Sequence, residues 1–131
     1  MIRRAEKQIF FSSLYIGADE RELVSKHQTC KTSLIDAFQV SALERRLTER
    51  PNLRLTIILD LNRSTRPAPD STAQLLLPLL RKFERRVHVA MFRSPSLRGV
   101  LSRLVPPRFN EGWGTWHAKI YGVDNDVIIS G

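Results

Sequence analysis

Residues 116–131 read WHAKIYGVDNDVIISG and combine a regular apolar pattern with three chemically active side chains. His117, Lys119 and Asp124 stand at the spacing H-x-K-x4-D. A neutral imidazole can attack phosphorus and form a covalent intermediate. A neighbouring ammonium stabilises the charge that builds on phosphoryl oxygens in the transition state, and a carboxylate can fix the tautomer and ring orientation of a histidine. The spacing therefore indicates phosphoryl-group chemistry.

The same stretch predicts a β-hairpin. Residues 115–123 alternate well enough for a strand, so His117, Lys119 and Tyr121 would share one face. Asn125-Asp126 falls where a tight hairpin turn is expected. The alternative is a hairpin with an incidental histidine and lysine on its solvated face, because short motifs also arise by chance.

The motif resembles the signature of the phospholipase D superfamily, in which the aspartate is followed by six residues and a glycine, here Gly131. Other stretches are similar to the eukaryotic phosphatidylglycerophosphate synthase branch of that superfamily. They are residues 8–17 (QIFFSSLYIG), 55–66 (LTIILDLNRSTR), 75–83 (LLLPLLRKF) and 92–110 (FRSPSLRGVLSRLVPPRFN). The resemblance covers most of the chain except about residues 25–52.

The resemblance implies a transferase of phospholipid biosynthesis. It would transfer a phosphatidyl group from CDP-diacylglycerol to glycerol-3-phosphate, giving phosphatidylglycerophosphate and CMP for phosphatidylglycerol and cardiolipin synthesis. The family uses two copies of the motif and a phosphohistidine intermediate, so neither a cofactor nor a metal is expected. His117 would be the nucleophile or the acid/base, Lys119 would bind phosphoryl oxygens, and Asp124 would be an orienting or structural carboxylate. The resemblance also implies a mitochondrial location and an anionic membrane surface as a partner.

The chain contains one copy of the motif, because His27 and His88 lack the K-x4-D context. We therefore expect an amino-terminal fragment of a larger enzyme, inactive or nearly so alone, whose second motif-bearing half is its partner. Two other enzymes stay open: a phosphatidylserine synthase of the same superfamily, and a single-motif nuclease that completes its site by dimerisation. Residues 98–110 favour the phosphatidylglycerophosphate synthase branch over a phosphatidylserine synthase. Nucleic acid is not an expected partner. A non-catalytic binding module is a further alternative if no second half exists.

Buried strands alternate with helices along the chain. Strands are predicted at residues 8–16, 53–61, 87–92 and 115–123. This order predicts an α/β layered sandwich with a largely parallel or mixed sheet; by resemblance it is a phospholipase D-like α/β/α sandwich, incomplete as a first half. One domain is expected over residues 8–131, truncated at the motif hairpin and preceded by a basic leader or frayed terminus at residues 1–7.

Two arginines follow the second predicted strand. Arg63 and Arg66 lie in a polar loop at residues 62–70, and a loop at the carboxyl end of a buried strand is where α/β sheets usually bind ligands. Their planar guanidinium groups could hold a phosphate. The alternative is a solvated loop without a ligand.

A short amphipathic helix is predicted at residues 97–105, with Arg98 on its polar side as a third candidate for substrate binding. Such a helix can lie on an anionic bilayer, or it can pack onto the sheet. Trp113 and Trp116 flank the approach to His117. They could line a substrate cleft, sit at a membrane interface, or belong to the core.

The composition indicates a globular protein with anionic partners. The chain has 42% hydrophobic residues and a net charge of +8, which favours phosphate esters, an acidic membrane surface or nucleic acid. Cys30 is the single cysteine, so an intrachain disulfide is impossible and no zinc cluster is expected. The sequence has no apolar run of the roughly 18 residues that a spanning helix needs, and no secretory signal is visible.

Overall fold

The computed structural model describes residues 1–14, 16, 32–66, 71–106, 109 and 113–130, with residues 32–39 as backbone. In chain order the elements are a 3-10 turn Ile2–Arg4, β1 Gln8–Ser13, α1 Thr32–Glu49, β2 Arg54–Asp60, α2 Leu61–Ser64, α3 Thr72–Lys82, β3 Val87–Phe92, α4 Leu101–Leu104, β4 Lys119–Val123 and β5 Asp126–Ser130. Our predictions for His27, Cys30 and Gly131 concern residues outside this description.

The strands form one mixed sheet in the order β3-β2-β1-β4-β5. β1, β2 and β3 are parallel, whereas β4 and β5 form an antiparallel hairpin beside β1. The mixed sheet of an α/β fold was predicted and is confirmed. The hairpin turn consists of Asp124 and Asn125, because Asp126 already belongs to β5. It therefore begins one residue earlier than predicted, with Asp124 at a φ of 52°, a left-handed conformation for which aspartate is enriched.

One face of the sheet carries the hydrophobic core. α1 and α3 contact each other there, as right-handed crossovers require when the chain moves from β1 to β2 to β3 in one direction. Alternate residues of each strand point to this face. The core consists of Ala5, Ile9, Leu43, Leu47, Leu53, Leu55, Ile57, Leu59, Leu76, Leu79, Phe83, Val87 and Val123.

Two of the first seven residues, for which a leader or frayed terminus is expected, pack at this core, namely Ala5 and the partly buried Ile2. Ala5 is fully buried, and its carbonyl oxygen accepts a hydrogen bond from Nε of Arg46 at 2.9 Å. The carboxylate of Glu6 accepts from Arg46 at 3.2 Å and from Arg50 at 2.8 Å. The start of β1 is thus tied to the end of α1.

The strands predicted at residues 53–61 and 87–92 are confirmed as β2 and β3. The strand predicted at residues 8–16 is shorter, because β1 ends at Ser13. The strand predicted at residues 115–123 begins only at Lys119. Its neighbour β1 is already ending at this level of the sheet, so little strand remains for the preceding residues to pair with.

The amphipathic helix predicted at residues 97–105 is largely wrong. Only Leu101–Leu104 is helical, because Gly99 adopts a φ of 61° that no right-handed helix contains. Val100 and Leu104 are 73% and 71% exposed. These two members of the predicted apolar face therefore do not pack onto the sheet.

Candidate active site at the carboxyl edge of the sheet

His117 lies two residues before β4, near the edge where the parallel strands end. Its side chain is exposed, and that of Lys119, the first residue of β4, is half-buried. Lys119 and Tyr121 share one face of the strand, and the ring of Tyr121 meets Phe11 edge-on at 6.0 Å between centroids. The imidazole is therefore not on the strand as we predicted, but on the segment that leads into it.

Trp116 fixes the backbone immediately before His117. Its N–H donates to Oδ2 of Asp60 at 3.0 Å, and its indole Nε1–H donates to Oγ of Ser12 at 2.8 Å. Its ring also packs against Phe92, with 5.4 Å between the ring centroids. The segment that carries His117 is thus attached to the ends of three parallel strands.

Asp60 is a site residue that our sequence reasoning missed. Its side chain is 1% exposed, and its Oδ1 accepts from the backbone N–H of Arg63 at 3.0 Å, which caps α2. A signal for it exists, because the apolar run LRLTIILDL contains a single carboxylate near its end. A buried carboxylate needs donors around it, so such a residue indicates a neighbouring polar segment.

Arg63 and Arg66 lie at the carboxyl end of β2, on the same edge of the sheet as the motif. The predicted polar loop begins instead as the helical turn α2, and residues 67–70 lie outside the description. Both arginines are half-buried. The fold therefore brings their segment and the start of β4 to one place, through the two oxygens of Asp60.

Arg98 is exposed and lies in a loop that is tied to the approach to His117. The buried hydroxyl of Ser94 donates to the carbonyl oxygen of Trp113 at 2.6 Å. Gly114 has a φ of 108°, and a Cβ atom there would stand 3.2 Å from the same hydroxyl. Glycine suits this position because it tolerates both the positive φ and the close approach.

Asp124 is held at the other end of β4. Its carboxylate accepts hydrogen bonds from three consecutive backbone N–H groups, those of Glu6 at 2.8 Å, Lys7 at 2.7 Å and Gln8 at 3.0 Å. These bonds, with that from Gln8 first, lower the pKa of the Asp124 carboxyl below its usual value. The whole of β4 separates it from His117, at about 3.4 Å per residue. Within this chain, the Asp124 carboxylate therefore bonds the backbone before β1 and lies at the opposite end of β4 from His117.

Two further features concern ligands and membranes. Within the described ranges, no three His, Cys, Asp or Glu side chains gather as a metal-binding group. The helices of the same ranges include none with the length and apolar character needed to cross a bilayer.

Curated relatives match this chain along nearly its whole length. The CDP-diacylglycerol–glycerol-3-phosphate 3-phosphatidyltransferase of Schizosaccharomyces pombe is 42% identical over 100% of this chain and 23% of its own length. The mitochondrial protein of the same name from Homo sapiens is 40% identical over 99% and 22%, and that of Saccharomyces cerevisiae is 38% identical over 99% and 22%. No protein-family model matches the chain. The chain is therefore similar, over its whole length, to one part of proteins that bear this phosphatidyltransferase name.

These matches confirm the predicted resemblance. The chain spans less than a quarter of the length of these relatives and corresponds to their amino-terminal part. A solved structure, the phosphatidylserine synthase of Haemophilus influenzae Rd KW20, superposes with a TM-score of 0.56 and 17% identity, over 96% of this chain and 23% of that one. At this identity the likeness concerns the fold alone, and it confirms the predicted phospholipase D-like α/β fold.

Proposed function

We propose that the protein to which this chain belongs transfers a phosphatidyl group from CDP-diacylglycerol to glycerol-3-phosphate. The products would be CMP and phosphatidylglycerophosphate, a precursor of phosphatidylglycerol and cardiolipin. The observation that carries the proposal is the match of 37–42% identity, over 99–100% of the chain, to proteins named for this reaction. The exposed imidazole of His117 and the half-buried Lys119, two residues further along the chain, are consistent with it, because phosphoryl transfer needs a reachable nucleophile and a cation.

The reaction proceeds in two displacements at phosphorus. A ring nitrogen of one motif histidine attacks the phosphorus next to the diacylglycerol, and the bond from that phosphorus to the oxygen of CMP breaks. The histidine of a second motif gives this oxygen a proton. A hydroxyl of glycerol-3-phosphate then attacks the phosphohistidine, passes its proton to the second histidine, and breaks the P–N bond. His117 takes one of the two histidine roles.

The cationic side chains near His117 would bind the anionic substrates. Lys119 would stabilise the negative charge that grows on the phosphoryl oxygens. Arg63 and Arg66, at the same edge of the sheet, are candidates for the phosphates of CDP-diacylglycerol or glycerol-3-phosphate because guanidinium groups match phosphate geometry. Arg98 would contribute from the loop that Ser94 ties to the approach to the motif.

A second motif must come from outside these 131 residues, because His117 is their one histidine in an H-x-K-x4-D context. In the proposed mechanism, the partner of this chain is a second motif-bearing half of the same enzyme. Purified residues 1–131 should show no turnover of CDP-diacylglycerol. Turnover at the rate of the full-length protein would contradict the two-motif mechanism.

The proposal is tested with full-length protein, CDP-diacylglycerol in mixed micelles and labelled glycerol-3-phosphate. Label should enter the lipid fraction as CMP appears. His117→Ala should lower the rate by on the order of 10³-fold, the scale of a lost proton-transferring or nucleophilic group. His88→Ala is the matched control, because His88 is exposed on β3 outside the motif, and it should keep the wild-type rate.

The acceptor and the alternatives are separated in the same assay. Label from serine instead of glycerol-3-phosphate would indicate a phosphatidylserine synthase. Salt-sensitive cleavage of DNA or RNA, without lipid transfer, would indicate a nuclease that uses the basic charge. Neither result is expected of a glycerol-3-phosphate transferase.

An anionic membrane surface is the proposed second partner. The described residues between 98 and 113, here termed the 98–113 segment, expose five apolar side chains by 37–73%; these are Val100, Leu101, Leu104, Phe109 and Trp113. Arg98 and Arg103 are exposed in the same segment. Apolar side chains beside arginines suit the interface of an anionic bilayer, where a lipid substrate would be taken up next to His117.

Vesicle co-sedimentation tests this surface. Full-length protein should bind phosphatidylcholine vesicles that contain phosphatidylglycerol more tightly than vesicles of phosphatidylcholine alone. Val100→Ser combined with Leu104→Ser should weaken binding on the order of tenfold, given the apolar area removed. Leu77→Ser is the control, because Leu77 is 42% exposed on α3, away from the segment. Equal binding by both variants would mean that other parts of the protein cover the segment.

A mitochondrial location is proposed from the relatives. The human and chicken proteins are named mitochondrial. A fluorescent fusion of the full-length protein should co-localise with a mitochondrial marker, and a distribution without such overlap would exclude this location.

A further inference from the structure

Trp116 is connected to three parallel strands at once. Its backbone N–H meets Asp60 at the end of β2 and its indole meets Ser12 near the end of β1. Its ring packs against Phe92, the last residue of β3, with 41° between the ring planes. We call these contacts of Trp116 with Ser12, Asp60 and Phe92 the Trp116 anchor. It follows that the residue before His117 is fixed in position and in orientation.

The acceptors of the anchor are buried. Ser12 is fully buried and Asp60 is 1% exposed, so each would lose hydrogen-bonding free energy if Trp116 moved away. The two carboxylate oxygens of Asp60 have different donors, Trp116 on one side and Arg63 on the other. The same carboxylate therefore joins the motif segment to the first turn after β2.

Strand pairing does not provide this fixation. The register between β1 and β4 runs from the pair Ile9–Val123 to the pair Ser12–Ile120, and β4 itself begins at Lys119. Residues 116–118 carry the proposed reactive imidazole but belong to no strand. Rigid positioning of a reacting group matters because displacement by about 1 Å can cost on the order of 10²-fold in rate.

We infer that Ser12 and Asp60 are positioning residues for His117, which they hold through the Trp116 anchor. The inference rests on the proposed function, in which His117 reacts with or protonates the substrate. It extends that function to Ser12, Asp60 and Trp116, which are three residues outside the motif. None of the three need touch the substrate.

A double-mutant cycle tests the inference in the full-length protein. Ser12→Ala removes the hydroxyl acceptor, and Trp116→Phe removes the indole donor while it keeps an aromatic ring and the backbone N–H. Each change should lower kcat roughly tenfold, which is less than the loss on the order of 10²-fold that a displacement of about 1 Å can cause. KM should stay within about twofold of the wild-type value. Because both remove one hydrogen bond, the double variant should lose about as much as either single variant. A hundredfold loss in the double variant, or falls in KM and kcat together, would overturn the inference.

Two controls separate positioning from folding. Thr56→Ala removes another hydroxyl from the same face of the sheet, four residues before Asp60, and should leave kcat unchanged. Ser12→Thr retains the hydroxyl and should restore most of the kcat lost in Ser12→Ala. If instead Ser12→Ala and Thr56→Ala change kcat equally, the hydroxyl of Ser12 has only a structural role. Asp60→Asn also removes the cap of α2, so the cycle uses Ser12 and Trp116.

Amide hydrogen exchange tests this inference independently of the proposed function. If the wild-type protein transfers no phosphatidyl group, the proposed function fails, and exchange of the amides at residues 116–119 still reports on the anchor. Those amides should exchange at least about tenfold faster in Ser12→Ala and in Trp116→Phe, while the strand amides of β2 keep their rates. Unchanged exchange in both variants would show that the anchor does not hold the motif segment.

Discussion

The two ends of β4 are held in opposite ways. At the end of the strand, the Asp124 carboxylate accepts three backbone hydrogen bonds, and the Asp124 backbone exchanges two more with Gln8, at 2.9 Å and 3.1 Å. At the start, His117 lies outside the strand and its segment is fixed by the side-chain contacts of Trp116. We call the Asp124 end, which hydrogen bonds to backbone groups hold in place, the locked end. We call the His117 end, where the side chain is exposed, the open end.

Under the proposed function, one short motif would combine two tasks. A group that must reach a substrate cannot be enclosed by strand pairing on both sides, so the exposed His117 stands before the ladder begins. Asp124, at the hairpin turn, must instead stay in place. A carboxylate that accepts hydrogen bonds from three N–H groups stays ionised and fixed. β4 consists of Lys119 and the four residues that separate it from Asp124.

Replacing the cation at the open end should have the largest effect. Lys119→Met keeps a long side chain but removes the ammonium, and kcat should fall by about 10²–10³-fold, the cost of one lost group that stabilises transition-state charge. The melting temperature should stay close to that of the wild type. Lys82→Met, which removes an exposed partner of Glu44, is the control and should keep full activity. A fully active Lys119→Met protein would show that the open end is not the reactive one.

The locked end should respond in stability instead. Asp124→Asn leaves the amide nitrogen facing backbone donors that need acceptors, so the melting temperature should fall while kcat of the folded protein stays within about twofold of the wild type. Asp126→Asn, two residues along and exposed in β5, is the matched control and should change neither quantity. A loss of activity in Asp124→Asn with an unchanged melting temperature would assign Asp124 a catalytic role.

The pH dependence of unfolding should sharpen the same comparison. The pKa of the Asp124 carboxyl is lowered in the folded state by its backbone hydrogen bonds. Its contribution is therefore complete above the unfolded pKa of about 3.9 and is lost as the pH falls through the lower folded value. Below about pH 4, wild-type stability should decline more steeply than that of Asp124→Asn, as measured by denaturant unfolding. Glu49, whose pKa is lowered by Arg45 and Arg46, contributes equally to both proteins. Parallel declines would contradict the assignment.

Much of the fold followed from residue patterns, because apolar runs and helix caps are local signals. β3 has its predicted bounds, and α3 begins after Ser71, as that residue's capping ability suggests. The predicted helix at residues 97–105 failed because periodicity does not report backbone dihedral angles. The positive φ of Gly99 divides that apolar pattern, and a glycine at one position leaves both conformations open.

The site was predictable only in part, for a different reason. The spacing of His117, Lys119 and Asp124 is visible in the sequence, but the end of β1 that excludes His117 from β4 depends on register between strands far apart in the chain. The bond between Trp116 and Ser12 joins residues 104 positions apart. Only tertiary packing brings such pairs together. The one local clue to this site in the sequence is therefore the lone carboxylate of Asp60 in an apolar run.

The smallest effect is expected at Gly114, which lies three residues before His117 in the segment that leads to the open end. Gly114→Ala must accept a φ of 108° and a Cβ atom 3.2 Å from the Ser94 hydroxyl, so stability should fall by about 2 kcal/mol, within the range for strained backbone positions. Gly99→Ala is the comparison, because its φ is 61° with open space around the added atom, and it should cost about 1 kcal/mol. If the approach helps to position His117, Gly114→Ala should also lower kcat severalfold, whereas Gly99→Ala should not. Equal kcat in both variants would confine positioning to the Trp116 anchor, since only Gly114 approaches Ser94.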